Sequence, residues 1–414
     1  MNRAAYLEQV IRKMHNGMIK VVTGLRRVGK TYLLFTLFYD YLRGTGVAED
    51  HIIHLALDDR ANKEFRNPDT LYNYVRARIT DEKMYYVLLD EVQLVDEFED
   101  VLNGFLHIPN ADTYVTGSNA KFLSKDIITE FRGRGDQIHL YPLSFSEFLQ
   151  DYEGSEEAAW REYSLYGGLP KLRAISDERD KAAYLESIFS ETYLKDILER
   201  NDVRNPSELS ELLDYVASSV GGLSNPKKLS DTFKSVKQVS VHPDTIKSYL
   251  DYFEDSFLIS RAVRYDIKGK RYINTPCKYY FTDVGLRNAR LHFRQYEETH
   301  IMENVIYNEL CARGYAVDVG VVEVTEQTAE SKKTQKQLEV DFVCNRGSSR
   351  VYVQSALSIP DAQKERQEQR PLERTGDSFK KIIIAKDIPT HYNDSGILIL
   401  NLLDFLRNAD SLNG

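Results

Sequence analysis

The chain has 414 residues, 42% hydrophobic and 28% charged, which fits a globular protein with more than one core and excludes a disordered chain. No apolar run approaches the ~18 residues needed to cross a bilayer, and a net charge of −9 argues against a basic coat for indiscriminate nucleic-acid binding. Cys277, Cys311 and Cys344 are too widely spaced for a metal motif or a small disulfide scaffold, so reduced thiols and a cytoplasmic location are expected.

The opening segment from Met1 to Val10 has the pattern of an amphipathic helix rather than a leader peptide. A buried strand, Met18 to Val22, then leads into Gly24-Leu25-Arg26-Arg27-Val28-Gly29-Lys30-Thr31 and a helix beginning at Tyr32. This is the G-x-x-x-x-G-K-T phosphate loop in its required setting, a strand before and a helix after. The two glycines let backbone N–H groups face phosphate oxygens, and the helix N-terminus adds a favourable dipole. Lys30 is expected on the β- and γ-phosphates, and the Thr31 hydroxyl on Mg²⁺.

Met84 to Leu89 is an apolar run ending in Asp90 and Glu91, as expected for a central strand of a parallel sheet. Ligands bind at that end of such sheets. Asp90 is the second candidate for the Mg²⁺ shell, and Glu91 the candidate base for the attacking water. A third strand, Thr113 to Gly117, ends in Ser118 and Asn119, where a polar side chain could meet the γ-phosphate or the water. Phe131-Arg132-Gly133-Arg134 then precedes a further strand, Gln137 to Tyr141.

Lys30-Thr31, Asp90-Glu91, Thr116-Gly117-Ser118-Asn119, Gly133-Arg134 and Tyr141-Pro142-Leu143-Ser144-Phe145, in this order, resemble a prokaryotic AAA+ ATPase family with a C-terminal domain of unknown function. Tyr166-Gly167-Gly168-Leu169-Pro170, Tyr193 to Ile197 and Lys278 to Arg287 extend the resemblance over nearly the whole chain. It implies Ser118 or Asn119 in the sensor-1 role, Arg134 as an arginine-finger candidate, and ATP as the nucleotide.

From Glu156 to about Tyr215, apolar residues recur at helical spacing, consistent with a helical lid. Residues 226–290 hold thirteen Lys or Arg against seven Asp or Glu, a basic segment in an acidic chain. Its pattern is helix, turn, helix from Pro243, strand from Phe257 and a basic turn with Lys268, Lys270 and Arg271. That order suggests a winged helix whose tip could contact phosphates. The second helix offers only Lys247 as an exposed cation beside Asp244 and Asp251, so sequence-specific DNA reading is not expected, and a protein-binding role accounts for the same residues.

Beyond Gln295 the pattern becomes α/β. Glu303 on a helix, Asp341 in a strand and Gln354 ending the next strand resemble the PD-(D/E)xK, or restriction-endonuclease-like, fold. Gln354 stands where that fold has a second acid and Ala356 where it has a lysine, so a catalytically degenerate domain is expected; Lys364 or Lys380 are the lysines that could substitute.

The expected class is α/β: a P-loop AAA+ parallel-sheet domain at 1–155, a helical lid at 156–222, a winged helix at 223–294 and a small restriction-endonuclease-like domain at 295–414. The expected activity is ATP hydrolysis driving a molecular switch, with ATP and Mg²⁺ at Gly24 to Tyr32, Asp90 and Glu91. The alternatives are an ATP-regulated DNA-binding protein and a nuclease. DNA, a protein partner and further copies of the chain are the candidate partners, and no membrane is expected.

Overall fold

The computed structural model of the chain describes residues 3–117, 133–237, 239–327 and 333–412. They form two compact units, Met1–Pro142 with Asp255–Phe257, and Leu143–Glu254 with Leu258–Gly414.

Unit 1 is built on five parallel strands: β1 (Ile19–Thr23), β2 (Ile52–Ala56), β3 (Tyr85–Asp90), β4 (Ala111–Thr116) and β5 (Gly135–His139), in the order β2-β3-β4-β1-β5. Every residue of β1 and β3 is buried, as strands covered on both faces require; the one cation among them, Lys20, is paired with Asp112 of β4. Helices Pro68–Arg78 and Phe98–Phe105 place Leu71, Val75, Leu102 and Phe105 in a core with Val87 and Val115. Each such side chain contributes about 1.5–3 kcal/mol through apolar burial. The first of these helices is capped by Asn67, which accepts from the Thr70 N–H, with Pro68 in the first turn. Because β1 lies between β4 and β5 while the next strand in sequence pairs with β3, the C-terminal end of β1 opens onto a topological switch point.

Unit 2 begins with helices, among them Glu156–Tyr166, Glu178–Ile188 and Pro206–Ser218. An eight-stranded mixed sheet follows: β6 (Ile259–Asp266), β7 (Arg271–Phe281), β8 (Ala316–Gln327), β9 (Lys333–Arg346), β10 (Ser349–Ala356), β11 (Lys380–Ala385), β12 (His391–Tyr392) and β13 (Leu398–Asn401). Their order is β12-β13-β11-β10-β9-β8-β6-β7. The family-like segments meet here. The buried Asp283 carboxylate caps the helix Val284–Arg290 and accepts from Gly168 N–H at 2.7 Å. A Cβ on Gly285 would lie 1.9 Å from the Tyr166 carbonyl oxygen, so the two segments touch backbone to backbone.

Helices Pro226–Thr232 and Pro243–Asp255 and the hairpin β6–β7 occur in the order expected of a winged helix. The hairpin is not a free wing, however. β6 is flanked by β7 and, in parallel register, by β8, with Tyr265 opposite Gly320. Strand pairing therefore crosses the boundary placed at residue 294, and a backbone bridge between Ser224 and Cys277 ties the preceding helices to the same strand. The physical reason is that β6 leaves a row of backbone donors and acceptors that β8 satisfies at no cost in solvent exposure. The segment read as a lid likewise belongs to unit 2: Asn288 donates to the carbonyls of Ser164 and Leu165, and Arg287 to that of Ala217.

Candidate functional site

The loop Gly24 to Gly29 joins β1 to a helical run made of α-helical Lys30–Tyr32, a π-helical segment Leu33–Phe38 and α-helical Tyr39–Gly44. Leu25 and Val28 are fully buried and pin the loop to the core, while Arg27 is exposed with φ +64°. Gly24 has φ +134°, and a Cβ there would lie 2.1 Å from the Leu140 carbonyl oxygen, so no other residue fits. Arg26 and Tyr32 are half-buried at the rim.

Lys30 is buried, with Nζ donating to the carbonyls of Gly24 (3.1 Å) and Leu25 (3.0 Å). Burial pushes its pKa down to about 8, against the pull of Glu91 and Asp90. Thr31 donates from Oγ1 to Asp90 Oδ2 at 2.7 Å, although 59 positions separate them. Burial raises the pKa of Asp90 from its ordinary value, partly offset by hydrogen bonds from Thr116 and Thr31. A hydroxyl and a carboxylate converging beside a phosphate loop form an oxygen donor set that suits Mg²⁺, which keeps other positions for water and phosphate oxygens. Glu91 sits directly after β3 in the left-handed region, φ +52° and ψ +48°, a conformation that non-glycine residues hold only where the surroundings enforce it.

Three further residues shape the site. Thr116, at the end of β4 between β1 and β3, accepts from Glu91 N–H at 2.9 Å and donates from Oγ1 to Asp90 Oδ1. Gln93 donates from Nε2 to Glu91 Oε2. His139, at the end of β5, is held neutral, with its pKa lowered to about 4 by burial and by the charge of Lys30. Sequence reasoning passed over all three. Thr116 lay inside the quoted strand, just before Ser118 and Asn119, the two candidates for the sensor role, and only the strand order reveals that it faces Asp90.

Ser118 and Asn119 lie outside the described residues. Arg134 is exposed, and its carbonyl accepts from Ile19 N–H at 2.9 Å. Ile19 pairs with Gly135 and Thr23 with His139, so Arg134 stands at the opposite end of the strand from the phosphate loop. That is roughly 16 Å away at 3.3 Å per residue, beyond the reach of an arginine serving its own chain's phosphates.

At the basic turn of unit 2, Arg271 is paired with Asp266 at 3.2 Å, and Lys268 donates to the Glu323 carbonyl at 3.3 Å. Lys247 is exposed, as expected. Among the described residues no helix is long and apolar enough to cross a membrane.

Comparison with known proteins gives a consistent placement. Residues 16–149 match the family model "AAA domain", and residues 157–297 match "Domain of unknown function (DUF8612)". An uncharacterized protein of Haemophilus influenzae is 33% identical over 98% of both chains. The uncharacterized protein MJ1544 of Methanocaldococcus jannaschii is 27% identical over 93% of this chain and 84% of its own length. Among solved structures, the Aeropyrum pernix ORC1 protein in complex with DNA is 12% identical over 70% of this chain and 92% of that one, with a TM-score of 0.31. A likeness that distant does not bear on what this chain binds. The near full-length similarity does decide kinship: the chain belongs to one protein family with the Haemophilus influenzae protein, and it carries an AAA domain in its first third.

Proposed function

We propose that the chain is an ATP-hydrolysing molecular switch, with unit 1 binding and hydrolysing the nucleotide and unit 2 engaging a partner. The observation that carries this reading is the 2.7 Å approach of the Thr31 hydroxyl to Asp90 beside Lys30 and Glu91. ATP and Mg²⁺ supply the transferable phosphoryl group and the charge that neutralises it. Gly24 to Gly29 present backbone N–H groups to the phosphates, and Lys30 exchanges its two carbonyl partners for phosphate oxygens. Thr31 and Asp90 hold the metal shell. Glu91 orients the water and accepts its proton, with Gln93 fixing the carboxylate. Ser118 or Asn119 are assigned to the γ-phosphate side, and Arg134 is left only a neighbouring copy of the chain as its target.

In unit 2 the order helix Glu298–Ala312, β8, β9, β10, helix Ala362–Glu373, β11 supports the restriction-endonuclease-like reading. Gln354 and Ala356 support its degeneracy. Pairing of β6 with β8, and the internal partners of Lys268 and Arg271, favour a protein partner over DNA.

The test is ATP hydrolysis by the purified chain, with and without duplex DNA, across a salt series. Lys30→Ala and Glu91→Gln each lower turnover by a factor of 100 or more on the order expected for charge and general-base groups at such a centre. Wild-type-like turnover in either variant would overturn the site. Turnover unchanged by DNA supports a protein partner; stimulation that fades with salt would instead establish DNA contact.

A further inference from the structure

Active members of the fold that residues 295–414 resemble bind a divalent metal through strand acids, of which this chain keeps Asp341 and has Gln354 in place of the second, with Glu303 on the neighbouring helix. The structure does bring Glu303, Asp341 and Gln354 together. Gln354 Oε1 accepts from Asp341 N–H at 3.3 Å, and Asp341 Oδ2 accepts from Ser355 N–H at 2.8 Å. A side chain outside the expected pattern, Lys278 of β7, fills the group. Its Nζ lies 2.9 Å from Glu303 Oε1, 2.8 Å from Glu339 Oε1 and 4.0 Å from Asp341 Oδ1. Lys278 is 3% exposed, and Glu303 and Asp341 are each 8% exposed.

Two features hold it there. Strand alternation puts Lys278 and Tyr280 on one face of β7, and the Tyr280 hydroxyl donates to the same Glu303 Oε1 at 2.6 Å. Helix Glu298–Ala312 is registered against the strand by Asn304, which bonds both backbone groups of Phe281 at 2.9 and 2.7 Å. Burial alone would lower the Lys278 pKa, but the charges of Glu303, Asp341 and Glu339 more than offset it and keep the ammonium protonated.

A divalent ion would need about six oxygen ligands at roughly 2.0–2.6 Å. The ammonium already occupies the space between these carboxylates, and among the described residues no group of three or more His, Cys, Asp or Glu is arranged to hold a metal. The residues present do not fit the implied metal.

We propose that Lys278 is the resident cation of the Glu303–Glu339–Asp341 cluster, standing in place of a divalent ion and fastening β7 to the helix Glu298–Ala312 and to β9. The inference rests on the degenerate restriction-endonuclease-like reading of residues 295–414. Removing the ammonium leaves the buried Glu303 and Asp341 carboxylates without a counter-charge, which is the expensive way to break such a cluster.

The experiment titrates MnCl₂ into the nucleotide-free full chain by calorimetry, comparing wild type, Asp341→Asn and Lys278→Met. Wild type and Asp341→Asn are expected to give the same isotherm. Lys278→Met is expected to unfold about 10 °C lower, and to recover part of that loss with added Mn²⁺. A wild-type Mn²⁺ site lost in Asp341→Asn overturns the proposal, and so does a Lys278→Met transition at the wild-type temperature. If Lys278→Met does not fold, the comparison of wild type with Asp341→Asn decides alone. Mn²⁺-dependent cleavage of duplex DNA, abolished by Asp341→Asn, would overturn the degenerate reading as well.

Discussion

Replacing Thr116 with valine separates the hydroxyl's chemistry from its packing. Valine keeps the volume and the β-branched shape of this fully buried strand residue, so no cavity opens and strand preference is retained. Two hydrogen bonds disappear: the one donated to the Asp90 carboxylate, and the one accepted from Glu91 N–H. A bond to a charged group is worth about 1.5–3 kcal/mol, and an amide left unsatisfied costs about 1–3 kcal/mol where it is buried. Glu91 is only half-buried, so the lower end applies to the second term and the sum is about 3 kcal/mol. For a unit of this size that lowers the melting temperature by roughly 6–12 °C. Asp90 also loses the larger of the two hydrogen bonds that oppose the effect of burial, so its pKa rises further and the hold on Mg²⁺ proposed for it weakens. The assay is thermal unfolding followed by two probes, together with the Mg²⁺ dependence of ATP hydrolysis. A transition within about 1 °C of wild type and an unchanged Mg²⁺ dependence would refute the role given to Thr116.

Nucleotide affinity is expected to depend on pH through Lys30. With its pKa at about 8 in the nucleotide-free site, the charged form that phosphate favours is present below that pH and must be recruited above it. The dissociation constant for MgATP therefore rises by up to about tenfold per pH unit above pH 8, and Lys30→Arg flattens the profile; constant wild-type affinity through alkaline pH is the contrary result. His139 acts on stability in the other direction. Its pKa falls from 6.5 to about 4 on folding, so its contribution is complete above 6.5 and is lost as pH drops through about 4; His139→Gln should remove that part of the acid dependence in urea titrations. Gly285→Ala drives a Cβ against the Tyr166 backbone carbonyl, which no side-chain rotation relieves, and is expected to destabilise unit 2 by about 3 kcal/mol; a soluble variant with unaltered unfolding would contradict the backbone-to-backbone contact.

How much of this was legible in the sequence depends on how locally each feature is encoded. The phosphate loop is one continuous stretch, Gly24 to Thr31, whose glycines, lysine and hydroxyl act within a few residues of one another, so strand, loop and helix could be read together. Asp90 and Glu91 were readable for a related reason: they end an apolar run long enough to be a buried strand, and such strands present their C-terminal ends to ligands. Glu303, Asp341 and Gln354 were also picked out, but not what sits among them.

Strand order decided the rest. Thr116 meets Asp90 only because β4 lies between β1 and β3, and Arg134 stands away from the phosphate loop only because β5 runs parallel to β1 from its far end. Lys278 was read as part of a basic segment, yet β7 carries it into a carboxylate cluster assembled from residues 25 and more positions away. The hairpin β6–β7, legible as two strands and a turn, became part of an eight-stranded sheet once β8 supplied hydrogen-bond partners for β6. Local chemistry and periodicity are properties of a few neighbouring residues and survive in a single sequence. Which distant strand satisfies an open backbone edge, and which cation neutralises a buried acid, are settled by packing the whole chain, where the cost of leaving either unsatisfied outweighs any local preference.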